Sequence, residues 1–312
     1  MFKRNAIVAL ILIMTGLPLA AKEKIFFIAH AGAGDPFWNI EFKGAKQAAQ
    51  DQNIDLTILA PERPNDIARQ VEMFKAALAS KPSGIALSIS DDRAFSAILT
   101  KAKSQGVPVL AFNSKPSETF TSENPYSAFI GMDEFEAGVF AAKRAWETGK
   151  VKNKVLVAIH QAGHIGLEKR YAGIKHFMDQ KKVLTEKLDT GSDPARVQMM
   201  FRSYYKNHPD LSAVFTVGPA GLHPIARMVD KEKMNVLLAS FDLTSLTLNY
   251  IKKGTVAFTI DQQPYMQGYL SVTQLALASR TLIAPASVNT GVGVIDLANA
   301  SSVQKLVQQG IR

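Results

Sequence analysis

The sequence predicts an α/β protein made of two similar, doubly wound parallel-sheet domains. Three observations carry this. Short apolar runs alternate with amphipathic helical stretches along the chain, the runs are apolar at consecutive positions, and the rhythm restarts after one long polar stretch. A strand that is apolar on both faces must be covered on both, the condition of a parallel sheet flanked by helices. The 312 residues, 47% hydrophobic and 20% charged, are enough for two such cores.

Taken in order, Ile25–Ala29 reads as a strand and Asn39–Asp51 as a helix with Ile40, Gly44, Ala45 and Ala48 on one face. Leu56–Leu59 is a strand. Asp66–Ala79 is a helix with Ile67, Val71, Phe74 and Leu78 at helical spacing. Gly84–Ile89 is a strand, Ala94–Ser104 a helix closed by Gln105-Gly106, and Val107–Phe112 a strand. The polar stretch Asn113–Asn124 follows and marks the composition break.

Beyond it come a strand at Ala128–Gly131, a helix at Glu134–Thr148, a strand at Lys154–Ile159 and a helix at Leu167–Gln180. Thr185–Leu188 reads as a short strand and Pro194–Asn207 as a helix. Ala213–Val217 is a strand, and Pro224–Lys231 a helix started by its proline. Asn235–Phe241, Thr244–Lys252, Val256–Ile260 and Gln267–Ser279 continue the strand–helix alternation. Val288 and Val292–Val294 are late short strands, and Ser301–Gln308 a final helix.

Residues 1–21 stand apart. Lys3 and Arg4 precede an apolar run from Ala6 to Met14, then Gly16, Pro18 and the small pair Ala20-Ala21. A basic start, a short greasy segment and a small-residue site are the parts of a secretory signal, expected to be cleaved near Ala21. The competing reading is a membrane anchor. Thr15, Gly16 and Pro18 interrupt the run, which is shorter than the roughly 18–20 apolar residues of a span. The chain has no cysteine, so neither a lipoprotein anchor nor a disulfide is available to it. A soluble bacterial periplasmic protein is the expectation. The net charge of +9 is spread without a Lys/Arg block or basic-aromatic interleaving, which argues against nucleic acid as a partner.

Catalytic motifs are missing. No phosphate-binding Gly-rich loop ending in Gly-Lys-Ser/Thr occurs, and His30-Ala31-Gly32-Ala33-Gly34 lacks the third glycine of a dinucleotide fingerprint. No Gly-x-Ser-x-Gly elbow exists. His160 and His164 have metal-like spacing but span a strand end and a loop, so ordinary polar roles are expected and no metal or cofactor. Asp91 before Asp92-Arg93 reads first as a helix cap, and Asp133 before Glu134-Phe135-Glu136 reads the same way. Ligands of open parallel sheets sit at the carboxyl ends of the strands. There the chain places His30 to Trp38, Asp91, Asn113-Ser114, His160 to His164, Gly218, Asp242 and Asp261-Gln262, mostly polar and uncharged. That set suits a neutral, hydroxyl-rich ligand. In Gly34-Asp35-Pro36-Phe37-Trp38, two rings offer flat apolar faces and a carboxylate accepts hydroxyl hydrogens.

At these residues the chain resembles the type I periplasmic sugar-binding proteins, of which ribose-binding proteins are the best known. Asp35-Pro36-Phe37-Trp38 with Lys43-Gly44-Ala45 is similar to their first ligand loop and helix. Lys81-Pro82-Ser83-Gly84-Ile85, Gln105-Gly106-Val107-Pro108-Val109, Arg170-Tyr171-Ala172-Gly173, His208 to Phe215, Ser240-Phe241-Asp242 and Asp261-Gln262-Gln263-Pro264 match further segments in order. The resemblance implies two domains joined by a three-segment hinge, with crossings near Phe129–Met132, Ile260–Gln262 and Val288–Thr290. The N-terminal domain would be 22–130 plus 262–288, and the C-terminal domain 131–261 plus 289–312. It implies ligand contacts at Asp35, Phe37, Trp38, Arg170, Asp242 and Gln262; the strand-end reading adds Asn113 and, as weaker candidates, His30, Asp91, His164, Gly218 and Asp261. It departs from the ribose type at Asn113-Ser114, where relatives carry Asp-Arg, and at Gly218-Pro219, where they carry Asn-Asp.

The implied function is non-catalytic. A monomer would capture a small neutral monosaccharide or polyol other than ribose and hand it to an inner-membrane ABC permease and ATPase. A sensor presenting a sugar or autoinducer-like signal to a histidine kinase or chemoreceptor is the alternative. A hydrolase using Asp35 and Asp242 as paired carboxylates is the enzyme reading to be tested, and a repressor is excluded where a signal segment replaces the DNA-reading helices. Trp38→Ala and Arg170→Ala are expected to weaken binding with much smaller effects on the melting temperature.

Overall fold

The structure is a computed structural model that describes residues 22–32, 34, 36–63, 65–115, 126–291 and 293–312. The signal segment, Asp35, Val292 and most of the polar stretch after Ser114 lie outside the described residues. The first sheet holds β1 (Lys24–Ile28), β2 (Asp55–Leu59), β3 (Gly84–Leu87), β4 (Val109–Phe112), β5 (Ala128–Gly131) and β11 (Val288–Asn289), in the order β11-β5-β4-β3-β1-β2. The second holds β6 (Lys154–Ile159), β7 (Leu184–Asp189), β8 (Leu211–Thr216), β9 (Leu237–Phe241), β10 (Phe258–Asp261) and β12 (Gly293–Asp296), in the order β12-β10-β9-β8-β6-β7. Pairing is parallel throughout, except that β12 runs antiparallel to β10 at the edge.

Both faces of each sheet are packed, as consecutive apolar residues require. In β1, Ile25 and Phe27 point into a core with α1 (Pro36–Gln52) and α9 (Pro264–Thr281). Phe26 and Ile28 point the other way, toward α2 (Ile67–Ala79) and α3 (Asp92–Ser104). In β6, Val155, Val157 and Ile159 face α4 (Glu134–Glu147) and α5 (Ile165–Gln180). Leu156 and Ala158 face α6 (Pro194–Asn207), α7 (Pro219–Glu232) and α8 (Ser245–Lys252), a core that α10 (Ala300–Gln308) completes.

Among the described residues the chain passes between the sheets three times, after β5, after β10 and after β11. The composition break at Asn113–Asn124 is therefore not where the first sheet ends, because β5 beyond it still pairs with β4. Several helices start earlier than periodicity indicates, and two of them bear on the cleft. Helix α1 begins at Pro36 rather than Asn39, which puts Phe37 and Trp38 on its first turn. Helix α7 begins at Pro219 rather than Pro224. Both prolines offer the preset φ of a helix start, and Leu222 N–H closes the earlier turn on the Gly218 carbonyl at 3.1 Å.

Each lobe has one helix pair in backbone contact, α1 with α9 and α4 with α5. The same device repeats in both. A Cβ on Gly44 would lie 2.0 Å from the Tyr265 carbonyl oxygen, and one on Gly268 2.1 Å from that of Glu41. Gly138 and Gly173 meet the carbonyls of Arg170 and Phe135 in the same way. These pairs hold the first turns of α1 and α5 against the sheet ends, where the cleft forms.

Gly44→Ala is expected to lower the free energy of unfolding by about 1–3 kcal/mol, despite a helix-propensity gain of about 1 kcal/mol. Urea denaturation reads it. An unchanged or raised midpoint would show that the helices separate without cost.

Candidate ligand-binding cleft

The carboxyl ends of the strands in the two sheets face each other, and polar side chains from both meet there. Two of them depend on an unusual backbone. Asn113 follows β4 with φ 59° and Asp242 follows β9 with φ 69°. Asn and Asp are the residues that tolerate this left-handed region best. The neighbouring strand holds each turn: Asn113 N–H donates to Ile130 O at 3.0 Å and Asp242 N–H to Ile260 O at 2.7 Å. The same turn thus occurs once per lobe and aims both side chains at Gln262.

Gln262 lies on the second crossing and is buried between them. Its Nε2 donates to Asp242 Oδ1 at 2.7 Å, and its Oε1 accepts from Asn113 Nδ2 at 3.2 Å and Gln267 Nε2 at 3.1 Å. Gln267 also reaches Thr290 Oγ1 at 3.2 Å, on the third crossing. The hinge amide therefore joins the two lobes and two of the three crossing segments.

Arg170 anchors the other side. It is buried on α5, with Nε and Nη2 donating to the Glu134 carboxylate, Nη1 donating to Val217 O at 2.7 Å and the Asp242 carboxylate 3.6 Å away. Its guanidinium lies over the Phe241 ring, 4.6 Å from the centroid. Burial works against the charge, but the Glu134 and Asp242 carboxylates outweigh it and keep the guanidinium protonated. Burial raises the Glu134 carboxyl above its ordinary value, against the pull of Arg170.

Facing this network, Phe37 and Trp38 line the cleft from the first turn of α1. They are less free than a loop would leave them. Trp38 is only 3% exposed and packs against Phe37, Phe42, Phe112 and His30. His30 touches His164 across the cleft, Nε2 to Nε2 at 3.0 Å. His164 also caps α5, its Nδ1 accepting from Gly166 N–H at 3.1 Å. Burial lowers all three cleft histidines: His30 to about 3, helped by His160; His160 to about 4, helped by Arg170; and His164 well below its ordinary value.

The central cleft holds about 40 Å³. It shares His160, Gln161 and Pro219 with a cavity of about 480 Å³, and Asn113 and Glu134 with one of about 440 Å³. Small-molecule sites span roughly 300–1,000 Å³, so a sugar between the jaws requires the lobes to part.

Of the residues expected from sequence, His30, Phe37, Trp38, Asn113, His164, Arg170, Asp242 and Gln262 line this one cleft. Gly218 borders it: a Cβ there would lie 2.8 Å from the His160 ring and 3.6 Å from Asp242 Oδ2, so the imidazole fills the space beside it. Two expectations are corrected. Asp91 caps α3, accepting from Arg93 and Ala94 N–H at 2.9 Å, and does not line the cleft. Asp261 has both oxygens engaged away from it, one by Gln263 N–H at 2.9 Å and one by Arg312 Nε at 2.8 Å. Asp35 lies outside the described residues, and with it the paired-carboxylate reading. Arg170 and Trp38 are also structural, so truncating them destabilises the fold itself: about 3–5 kcal/mol for a broken buried ion pair and similarly for an emptied tryptophan site.

Sequence reading missed Glu134, Gln267 and Glu41, and placed His160 at a strand end without assigning it a ligand contact. Glu134 was hidden behind the capping role of Asp133, which accepts from Phe135 and Glu136 N–H at 3.1 Å. The available signal was a second carboxylate directly after a strand-end cap. Glu41 is 0% exposed on α1 with neither carboxylate oxygen hydrogen-bonded, and no sequence pattern marks it. Among the described residues no group of three or more His, Cys, Asp or Glu side chains is placed to hold a metal.

Burial, with the Asp242 charge adding to it, raises the Glu41 carboxyl well above its ordinary value. The native state therefore keeps a proton that the unfolded chain releases near pH 4.3. Stability is full below that pH and falls as pH rises toward the native value. Glu41→Met is expected to raise stability by about 1–3 kcal/mol at pH 7 and to remove this slope. Thermal melts between pH 5 and 8 check it, and a less stable variant at pH 8 would contradict it.

Residues 25–280 match the family described as a periplasmic binding protein domain. The xylose/arabinose-binding protein XylF of Sulfolobus acidocaldarius is 27% identical over 284 residues, covering 86% of this chain and 69% of that protein. A periplasmic sugar-binding protein of an ABC sugar transporter from Legionella pneumophila superposes with TM-score 0.82 at 40% identity, covering 86% of this chain and 99% of that one. A carbohydrate transporter from Acidothermus cellulolyticus 11B, solved in complex with myo-inositol, gives TM-score 0.84 at 29% identity, covering 93% and 100%. With this match and this two-lobed architecture, the chain belongs to the periplasmic binding protein domain family.

Proposed function

We propose that this protein is exported by its N-terminal segment, binds a neutral monosaccharide or polyol between its lobes as a monomer, and delivers it to an inner-membrane ABC importer. The family is one of binding proteins, so the cleft holds its ligand without chemical change. The single observation that carries the reading is the opposed pair of jaws: Phe37 and Trp38 on one lobe, Arg170 with Asp242 on the other, joined by Gln262 at the hinge. Aromatic faces suit the C–H side of a sugar ring, and fork donors with carboxylate acceptors suit its hydroxyl rim. No helix among the described residues is long and apolar enough to cross a membrane.

Relatives named for xylose and arabinose, and one solved with myo-inositol, support pentoses and polyols as the first ligands to test. The neutral Asn113-Ser114 and Gly218-Pro219 speak against ribose. Relatives named as transport components favour a carrier over a sensor.

A thermal-shift screen of ligand-stripped protein against D-xylose, D- and L-arabinose, D-ribose and myo-inositol is expected to show at least one stabiliser other than ribose. No shift with any of them at millimolar concentration would defeat the small-sugar reading.

Arg170→Lys keeps a positive charge between Glu134 and Asp242 but loses the planar fork. Binding of the stabilising sugar is expected to weaken tenfold or more, about 1.4 kcal/mol, in isothermal titration. Unchanged affinity would place the ligand elsewhere.

A further inference from the structure

The histidine contact across the cleft has a determinate proton arrangement. His164 Nδ1 accepts from Gly166 N–H at 3.1 Å and lies 3.4 Å from Leu167 N–H, so it carries no proton. A neutral His164 must then hold its proton on Nε2 and present it to His30 Nε2 at 3.0 Å. His30 Nε2 is an acceptor, so its proton sits on Nδ1 and is donated to Ser88 Oγ at 2.6 Å. The relay runs from the N-terminus of α5 in one lobe to the end of β3 in the other. Protonating His164 sets an N–H against the capping N–H groups. Protonating His30 sets two N–H groups against each other.

We propose that His30 and His164 form a split hydroxyl clamp, in which one ligand hydroxyl accepts from His164 Nε2–H and donates to His30 Nε2. A hydroxyl is both donor and acceptor, so it substitutes for the direct contact without leaving either nitrogen unsatisfied. An ether, a deoxy carbon or an ammonium at that place does not. The lobes need part only by one oxygen, with about 2.8 Å on each side. The clamp rests on the carrier reading and specifies its ligand: a sugar or polyol with a free hydroxyl facing α5, gripped only while both imidazoles are neutral.

The other titratable and charged groups lining the cleft with the pair are Arg170 on α5, Glu134 on α4, Asp242 after β9 and His160 after β6. Arg170 stays positive and opposes a proton on His164 and His160, in the same direction as burial. Parting the lobes returns the imidazoles to water and relieves the burial that holds them below the ordinary histidine value of about 6.5. Closure therefore favours the neutral forms. Its strength is full above that pH and is lost as pH falls below it.

Two measurements on the full mature chain decide the matter. Nitrogen-15 NMR of the histidine rings, without sugar at pH 7.5, is expected to show the Nε2–H tautomer for His164. The bond that selects this tautomer, from Gly166 N–H to His164 Nδ1, lies within a lobe and persists when the lobes part, whereas the Ser88 hydroxyl can donate or accept and leaves His30 to be set by His164 or the ligand. The opposite tautomer at His164 overturns the clamp and leaves the carrier reading standing. Titration with D-xylose, L-arabinose and myo-inositol between pH 5 and 7.5 is expected to show affinity at least tenfold weaker at pH 5. His164→Asn keeps a helix-capping acceptor but removes the Nε2 donor, and is expected to bind at least tenfold more weakly at pH 7.5 with at least threefold less loss on acidification. Affinity independent of pH, or an unaffected variant, overturns the clamp alone. The Nε2–H tautomer at His164 with no binding of any of these sugars overturns the carrier reading, and the clamp with it.

Discussion

The cleft depends on one buried cation. Arg170 has no water to solvate it, so its charge must be matched from within the protein. Glu134 on α4, the Val217 carbonyl after β8 and Asp242 after β9 meet that need. In doing so they draw three elements of the second lobe to one point. Asp242 passes the constraint on, because its other oxygen accepts from Gln262. From there the network crosses the hinge to Asn113 and Gln267. A single ion pair thus sets the position of the jaw on one lobe and the amide that joins it to the other.

The two lobes solve the same geometric problem with the same parts. Each brings a pair of helices into backbone contact through glycines three residues after the carbonyl that the partner glycine meets. Each ends its central strand in a left-handed turn built from Asn or Asp. Glycine is required in the first case because any Cβ would collide with backbone, which cannot yield. Asn and Asp serve in the second because they are polar and tolerate positive φ. The repetition explains why residues far apart in sequence arrive at matching places around the cleft.

Much of the candidate site was legible because strand ends are legible. Once the alternation of apolar runs and helices is read, the polar residues that follow each run are the ones a parallel sheet presents to a ligand. His30, Asn113, Arg170, Asp242 and Gln262 came from that reading together with the family resemblance. Asp91 and Asp261 obeyed the same rule and still missed the cleft. One is engaged by its own helix, the other by Arg312, more than fifty residues later in the chain. Glu134 was overlooked for the opposite reason, since its local role looked complete with Asp133 as the cap.

The sequence by itself determined the fold class, the element order and most strand-end candidates, because periodicity and turn chemistry are local properties. It also determined the family, through short motifs in a constant order. Only the tertiary structure decided which of two prolines starts α7 and that Trp38 is as much core as cleft. It alone showed that Glu41 is buried without a partner and that His30 meets His164. The last three of those facts arise where segments distant in the chain pack together, and burial and hydrogen-bond partnership exist only once they do.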